Sequence, residues 1–403
     1  MHVAFLANTA WLDEELSQLH HLVVGLIDES VTVTQVLPGG RAEGEVSAFG
    51  RRVSWYEGRR RWRHRGRLLG LKDTLGEPRE VDVVHALDGR LWMAGADLAK
   101  AIGCAGVFTA NSGADVALAT RLMRRVDPSR ATVVAASGPL AEAIRDAVDG
   151  RLPVEVGPPG VHHGRTNEQP SDADEATTEE RPFCAVITGD GRLDPHYDAF
   201  LAGAAEFVKQ HPEAQFFCDG MGSDQHAVWR AARDAGLLSN LSLIPRRLGH
   251  RELLLRADVL IQPQPLGRCR SLHLQAFAAG VPVLAAPDPM LDHLIPDTTA
   301  RLVTAPLGYI TKPHRRRRST TPPAPPTPPT TPNGNDATSG SARAHGWHDA
   351  LDWAHNQPDA RHALGQSARA WAKEHRVAAD QVDQLLRLYR TLTGQSIPFP
   401  GTN

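Results

Sequence analysis

Buried strands and amphipathic helices alternate along the first part of the chain. Each apolar run is followed by helical periodicity, which begins with Leu16, Leu19 and Val23 after the first run. Strands that alternate with helices form a parallel sheet, because each helix returns the chain to the starting edge. Residues 1–160 therefore predict a Rossmann-like α/β domain. The runs are HVAFLA, VTVTQVLP, VDVVHAL, AGVFTAN and ATVVAAS.

The first of these helices carries three acidic residues near its start. Asp13, Glu14 and Glu15 suit the first turn, where negative charge complements the helix dipole. We therefore read them as residues that help the helix begin.

A second series of strands and helices follows an acidic, polar segment without periodicity. We interpret 161–181 as a linker and 182–311 as a second Rossmann-like domain. The new strands are FCAVITG, AQFFCDG, LSLIP and ADVLIQP. The chain therefore has the α/β class, with two parallel-sheet domains that face each other across a cleft.

The last part of the chain changes character twice. Residues 312–345 are rich in Pro and Thr, which favours a disordered insertion because such a segment buries little apolar surface. Residues 346–403 regain helical periodicity. We expect these C-terminal helices to complete the second domain, with the last one able to pack back on the first domain.

Composition narrows the classes of protein. The formal net charge of -2 gives no general attraction to polyanions, so we expect no nucleic acid partner. The 4 Cys residues lack metal-binding spacing and suit a reducing compartment. The short first strand has no charged leader, and no apolar run has the length of a membrane span. These features predict a cytoplasmic protein without metal or cofactor.

The segment 257–286 carries the clearest functional signal. It reads as a buried strand, a loop with Gly267, a short helix and a second buried strand. In an open α/β sheet such a loop lies at the carboxyl end of a strand. The amides and dipole of the following helix then favour an anion such as a diphosphate. The sequence therefore predicts an anion site at the start of this helix.

The order of this segment resembles the donor-binding signature of GT-B glycosyltransferases of family 4. The motifs GRLDP at 191–195 and DGMG at 219–222 resemble two further turns of that family. The resemblance implies a GT-B fold and transfer of a sugar from a nucleotide-sugar donor, usually with retention and without metal. From this resemblance, and from the position of Arg268 and Arg270 in the loop, the candidates for donor binding are Gly191, Arg192, Gly220, Gly222, Gly267, Arg268, Arg270, Ser271 and Gln275.

Several positions depart from the family pattern. Gly267 and Gln275 replace two glutamates, and His196 and Tyr197 occupy the region of an expected lysine. Two alternatives therefore stay open. One is a catalytically inactive GT-B protein that binds a nucleotide or glycan or scaffolds a partner; the other is a nucleotide-sugar epimerase or hydrolase. The acceptor, a glycan or a lipid-linked molecule, is unknown.

The candidates for catalysis are His85, Asp88 and Asn111, which lie near predicted strand ends on the cleft side. Each also has a structural interpretation, as a hydrogen-bonded strand end or a helix cap. Arg268 and Arg270 are either phosphate clamps or solvated loop charges. The segment 51–67, rich in Arg and Trp, reads as a charged surface hairpin or as a peripheral membrane contact.

Overall fold

The computed structural model describes residues 1–39, 49–55, 64–75, 80–163, 181–219, 225–244, 250–303 and 335–395. Most of the predicted linker and of the predicted insertion lies outside these ranges. So do Gly220 and Gly222. Within the described ranges, no helix combines the length and the apolar character needed to cross a bilayer.

The N-terminal domain is a parallel sheet flanked by helices, as the alternating pattern predicts. Its described strands follow the order β3-β2-β1-β4-β5-β6-β7, and every pairing is parallel. The elements are β1 (His2–Leu6), α1 (Thr9–Asp28), β2 (Thr32–Pro38), β3 (Arg51–Trp55), α2 (His64–Leu75), β4 (Val83–Ala86), α3 (Trp92–Ile102), β5 (Ala105–Ala110), α4 (Val116–Met123), β6 (Ala131–Ala135), α5 (Gly138–Val148) and β7 (Val154–Val156).

The predicted surface hairpin is wrong for 51–55. Strand β3 lies at the edge of the sheet and pairs in parallel with β2, with Val53 opposite Val36. Val53 alone in this strand is fully buried, so the segment lacks the apolar run that reveals the other strands. An edge strand buries only part of its surface, and its polar residues hid it in the sequence.

The C-terminal domain repeats this design. Its described strands follow the order β10-β9-β8-β11-β12-β13, again with parallel pairing throughout. The elements are β8 (Cys184–Ile187), α6 (Pro195–Gln210), β9 (Gln215–Asp219), α7 (Gln225–Asp234), β10 (Leu241–Ile244), α8 (His250–Arg256), β11 (Val259–Gln262), α9 (Ser271–Ala279), β12 (Val283–Ala285), β13 (Ala300–Leu302), α10 (Asn335–Asn356), α11 (Pro358–His375) and α12 (Ala378–Thr393).

The last three helices connect the two domains. Helix α10 packs on α6, α11 packs on α9, and α12 returns to the N-terminal domain beside α1. There Leu385, Leu386 and Tyr389 join the buried cluster that contains Phe5 and Leu19. Helix α10 begins at Asn335, inside the segment 312–345 that the sequence predicts to be disordered. Its first turns include several alanines, which favour a helix more than the preceding Pro-rich run does.

The strand orders place two topological switch points opposite each other. The order reverses between β1 and β4 in one sheet and between β8 and β11 in the other. Ligands of open α/β sheets bind at the carboxyl ends of strands at such points. Here the loops after β5 and β11 touch: Gly113 N–H donates to Gly267 O at 3.0 Å, and Cys269 N–H donates to Asn111 O at 3.0 Å.

The packing of α11 on α9 leads to a stability prediction. A Cβ at Gly365 would lie 1.9 Å from the Gly280 carbonyl oxygen, whereas a Cβ at Gly70 would meet no atom within 4 Å. Both glycines are helical. We expect Gly365→Ala to destabilise the fold by about 1–3 kcal/mol through overpacking. Gly70→Ala should stabilise it by up to about 1 kcal/mol through helix propensity.

Thermal unfolding of the two variants beside the wild type measures this difference. The expected result is a lower melting temperature for Gly365→Ala and an equal or higher one for Gly70→Ala. Equal shifts in the two variants would contradict the close α9–α11 contact.

Candidate functional site

The start of α9 lies where the two switch points meet. Strand β11 ends at Gln262, and the following loop reaches α9 at Ser271. Leu274 and Phe277 anchor the helix because both are fully buried in the core. The amides of its first turn therefore have a fixed direction, which is the arrangement that the predicted anion site requires.

Arg270 connects two segments inside the C-terminal domain. Its residue is 3% exposed, and its guanidinium donates to Thr188 Oγ1 and to Gly189 O, both at 2.7 Å. Thr188 and Gly189 follow β8, so Arg270 fixes the β8 turn against the start of α9. The interpretation of Arg270 as a solvated loop charge is therefore wrong, because two hydrogen bonds hold its side chain in the interior.

Arg268 crosses the cleft and pairs with the N-terminal domain. Its Nη1 lies 2.8 Å from Glu14 Oε2, and the other Glu14 oxygen lies 3.8 Å from Arg270 Nη2. The Glu14 side chain is 9% exposed, which weakens solvent screening of the pair. One carboxylate of α1 therefore faces both arginines of the loop before α9.

The neighbouring residue, Glu15, occupies the first amide of α9. Ser271 N–H lies 3.3 Å from Glu15 Oε1 and 3.2 Å from Oε2. Helix α1 departs from helical geometry at this residue, where φ is -122° and ψ is 24°. The carboxylate thus lies where a helix N-terminus attracts an anion, and the protein's own side chain fills the predicted anion site.

Burial dominates the protonation of Glu15. It raises the pKa of this carboxyl from its usual 4.5 to about 7, although the hydrogen bond from Ser271 and the charge of Arg268 oppose the shift. The nearby Glu14 charge adds to the increase. Glu15 therefore changes its charge near neutral pH.

Gln275 contributes to the same interface from the second turn of α9. Its Nε2 donates to Ser17 Oγ of α1 at 2.8 Å and lies 3.4 Å from Ser271 Oγ. A carboxylate at this position has no N–H to donate. The amide that replaces the family's glutamate thus suits a contact between domains.

Arg192 lies at the rim of this region. Its side chain is 75% exposed, and its Nε is 3.8 Å from Asp190 Oδ2. Gln264 joins its loop to the loop after β11, since Gln264 Nε2 donates to Arg192 O at 3.1 Å and Asp190 N–H donates to Gln264 Oε1 at 3.2 Å. Gly191 has a φ of +77°, which favours glycine in this turn.

A small cavity remains between the domains. Its volume is about 30 Å³, which is room for about one water molecule and far below the size of a nucleotide sugar. Arg192 and Gln275 do not line it. The residues around it include Trp11, Glu15, His85, Asn111, Cys269 and Ser271.

His85 is held on both sides of its ring. One nitrogen, Nδ1, hydrogen-bonds the Tyr389 hydroxyl at 2.6 Å, and Nε2 hydrogen-bonds Thr109 Oγ1 at 2.6 Å. Burial lowers the pKa of His85 to about 3, so the ring is neutral at ordinary pH. These contacts join β4 to α12 and favour the structural interpretation of this residue.

The other two catalytic candidates also make structural hydrogen bonds. Asp88 caps a short helical turn by accepting from Arg90 N–H at 2.8 Å. Asn111 Nδ2 donates to Leu87 O at 2.8 Å, which ties the loop after β5 to the end of β4. The chemistry of the site is therefore concentrated at Glu14, Glu15, Arg268 and Ser271 instead.

Sequence reasoning missed the role of Glu14 and Glu15. The available signal was the turn after β1, Asn8-Thr9-Ala10-Trp11, which contains no glycine. Asn8 accepts from Trp11 N–H at 2.8 Å and starts α1 immediately. Without a Gly-rich loop, the first turns of α1 lie close to α9, and their carboxylates reach its amides.

Comparison with known proteins adds evidence on the fold. No protein-family model matches the chain, and no curated protein matches its sequence. Solved structures do match. A glycosyltransferase from Rickettsia africae has 10% identity and a TM-score of 0.67, and covers 98% of this chain and 99% of its own. Anabaena Alr3699/HepE, solved with UDP and glucose, has 13% identity and a TM-score of 0.66, covering 96% and 99%.

A third structure of this type is the sucrose-phosphate synthase from Thermosynechococcus elongatus. It has 13% identity and a TM-score of 0.66, and the match covers 98% of this chain and 100% of that one. At such identities the likeness establishes the fold alone. The chain has the GT-B fold that the sequence predicts, whereas membership of family 4 stays a prediction.

Replacement of Glu15 should change the pH dependence of stability. Because the folded pKa of about 7 exceeds the usual 4.5, the folded state keeps a proton that the unfolded chain has lost. Its contribution to stability is complete below about pH 4.5, falls as pH rises through 7, and amounts to at most about 3 kcal/mol. Glu15→Gln cannot lose this proton, so the variant should gain stability relative to wild type between pH 5 and 8.

Urea unfolding of wild type and Glu15→Gln at several pH values from 5 to 8 measures this gain in stability. Glu29→Gln is the matched control, since Glu29 is exposed at the other end of α1. A difference between wild type and Glu15→Gln that stays constant across this range would contradict a buried, titrating Glu15.

Proposed function

We propose that this protein binds a nucleotide sugar through its diphosphate and transfers the sugar to an acceptor hydroxyl. The observation that carries the proposal is the Glu15 carboxylate on Ser271 N–H, beside Arg268. A carboxylate that accepts from the first amide of α9 supports an anion site at this switch point of the GT-B fold. The likeness to Anabaena HepE, a structure with UDP and glucose, supports this class of donor.

The chemistry of transfer suits this site. When the bond from sugar to diphosphate breaks, negative charge develops on the departing phosphate oxygens. Oriented amides and a guanidinium stabilise that charge where it develops. Ser271 N–H at the start of α9 and the Arg268 side chain would take these roles. Retention of configuration and independence from metal belong to this proposal as well.

The donor would replace the carboxylates of α1. Glu14 and Glu15 place two negative groups side by side against Arg268, Arg270 and Ser271 N–H. A diphosphate carries its charges in a similar adjacent pair. The cavity of about 30 Å³ is too small for a nucleotide sugar, so the proposal requires the domains to separate before the donor enters. Glu14 and Glu15 would then act as intramolecular competitors of the donor.

A second candidate function is nucleotide binding without transfer. It is favoured because residues at predicted donor-site positions contact the other domain. Arg268 pairs with Glu14, and Gln275 donates to Ser17. A protein that binds a nucleotide without transferring a sugar requires no catalytic base in the cleft. Both functions use the same anion site.

Removal of the competing charges tests the shared site. We expect the double variant Glu14→Gln, Glu15→Gln to bind UDP about tenfold or more tightly than wild type, since it no longer neutralises Arg268 and Arg270. Calorimetry at pH 8 and low salt measures the affinity. The control is Asp28→Asn, Glu29→Gln on exposed positions of the same helix. Equal or weaker UDP binding by the Glu14/Glu15 variant would contradict the competition.

Turnover separates the two candidate functions. The purified protein is incubated with a panel of nucleotide sugars, with and without glycan and lipid-linked acceptors. Release of nucleoside diphosphate reports transfer, and a thermal shift reports binding. Acceptor-dependent release supports transfer, whereas a shift without release supports the binding protein. Release that does not depend on acceptor indicates hydrolysis. If neither release nor a thermal shift is observed, both candidate functions are overturned.

Arg268 gives the matched mutational test. Arg268→Gln should weaken binding of UDP about tenfold or more, because one charge-assisted contact to phosphate is lost. Arg256→Gln is the control, since Arg256 is exposed at the end of α8. Unchanged affinity in Arg268→Gln would remove this residue from the site.

A further inference from the structure

A second cluster of functional groups lies outside the interdomain site, where α6 and α10 end side by side. His211 follows the last residue of α6, Glu213 lies in the turn before β9, and His355 is in the last turn of α10. We propose that His211, Glu213 and His355 form a binding site for a divalent transition metal of the Zn²⁺ type. The inference is independent of the proposed sugar chemistry.

The ligand atoms are already close together. One donor atom from each of the three residues lies within 4.8 Å of the others, and His355 Nε2 is 4.0 Å from Glu213 Oε1. Around a tetrahedral zinc ion, donors at roughly 2.0–2.1 Å from the metal lie roughly 3.4 Å apart. The site therefore needs a contraction of about 1 Å. Glu213 has room to make this movement, since its side chain is 52% exposed.

The protonation pattern of His355 favours metal binding. Its Nδ1 lies 3.0 Å from Asn356 Oδ1, an atom that can only accept, so Nδ1 must carry the proton. The orientation of this amide is set by its other end, because Asn356 Nδ2 donates to Asp352 Oδ1 at 2.7 Å. The lone pair of His355 Nε2 is consequently available to a metal, and this nitrogen lies 4.0 Å from Glu213 Oε1. Metal-ligating histidines commonly have the second nitrogen held in this way.

Packing fixes the two imidazole rings before any metal binds. Their centroids are 4.0 Å apart with the planes tilted by 35°. Phe207 lies 4.6 Å from the His211 ring, and Phe183 lies 5.8 Å from the His355 ring. These aromatic contacts limit the rotamers of both imidazole rings, which lowers the conformational entropy lost when a metal binds.

Asp352 offers a fourth group to the site. Its Oδ1 is 3.8 Å from His211 Nε2 on the side where α10 passes. It can complete the coordination or accept a hydrogen bond from a metal-bound water. Two imidazoles with one or two carboxylates favour Zn²⁺, Co²⁺ or Ni²⁺ over Mg²⁺ or Ca²⁺, which prefer oxygen ligands alone.

A metal in this position would join two parts of the chain that are distant in sequence. The described chain continues after residues 304–334 with helix α10, which packs along α6. Coordination by His355 and His211 would tie the end of α10 to the end of α6. The metal would then stabilise the packing of the C-terminal helices on the second domain.

Metal titration of the full, untagged chain tests this site after removal of metal with a chelator. Zn²⁺ affinity is measured by competition with a chromophoric chelator, and Co²⁺ is added as a spectroscopic probe of coordination. We expect one equivalent to bind tightly and to raise the melting temperature. His211→Gln and His355→Gln should each lose about tenfold or more in affinity, as coordinating groups do. His362→Gln is the control, because His362 is exposed on α11.

Each other outcome bears directly on the proposal. Zinc binding without a saturable first equivalent would overturn it, as would equal affinity in the two histidine variants and the His362 control. If a histidine variant unfolds before titration, Glu213→Gln replaces it, since this half-exposed side chain is not needed for packing. Undiminished zinc affinity and an unchanged Co²⁺ spectrum in Glu213→Gln would then exclude Glu213 as a ligand and with it the proposed site.

Discussion

The contact of two α1 carboxylates with the start of α9 joins the two domains across the cleft. Arg270 is buried and Arg268 nearly so, and Glu14 supplies the opposite charge to both. Removing one partner of a buried ion pair commonly costs about 3–5 kcal/mol, because the remaining charge stays desolvated. The backbone bonds between 111–113 and 267–269 depend on the same closed arrangement. Charge complementarity across the cleft therefore maintains the closed state.

Most of the fold could be predicted because its information is local. A parallel strand covered by helices on both faces is apolar along most of its length, so β1, β4 and β6 are visible as largely apolar runs. Strand β3 escaped detection because it is an edge strand with Arg51 and Arg52 exposed. The two parallel domains follow from the order of the elements, whereas the return of α12 to the first domain depends on tertiary packing.

The candidate site was predicted only in part for a related physical reason. An anion site at the start of α9 follows from a strand, a glycine loop and a helix that are adjacent in sequence. What occupies that site does not, since Glu15 and Ser271 are 256 positions apart and meet only when the domains close. The burial of Arg270 against Thr188 is equally nonlocal. From sequence, Glu14 and Glu15 were expected in the first turn of α1; this is wrong, because α1 begins at Thr9 and its first turn has no acidic residue. Their carboxylates contact Arg268 and Ser271 instead.

In the proposed function, the contact of Glu14 and Glu15 with the start of α9 also restricts which ligands can enter the cleft. A neutral sugar that displaced Glu14 would leave Arg268 and Arg270 without an opposite charge, at the cost of unpaired buried charges. A diphosphate replaces the lost charge and can use the same α9 amide, so only the difference between the two sets of contacts opposes its entry. Because Glu15 has a pKa of about 7, the group that accepts from Ser271 N–H changes its charge near neutral pH. In the proposed function, the pairing of Glu14 with the two arginines would therefore favour anionic ligands over neutral ones.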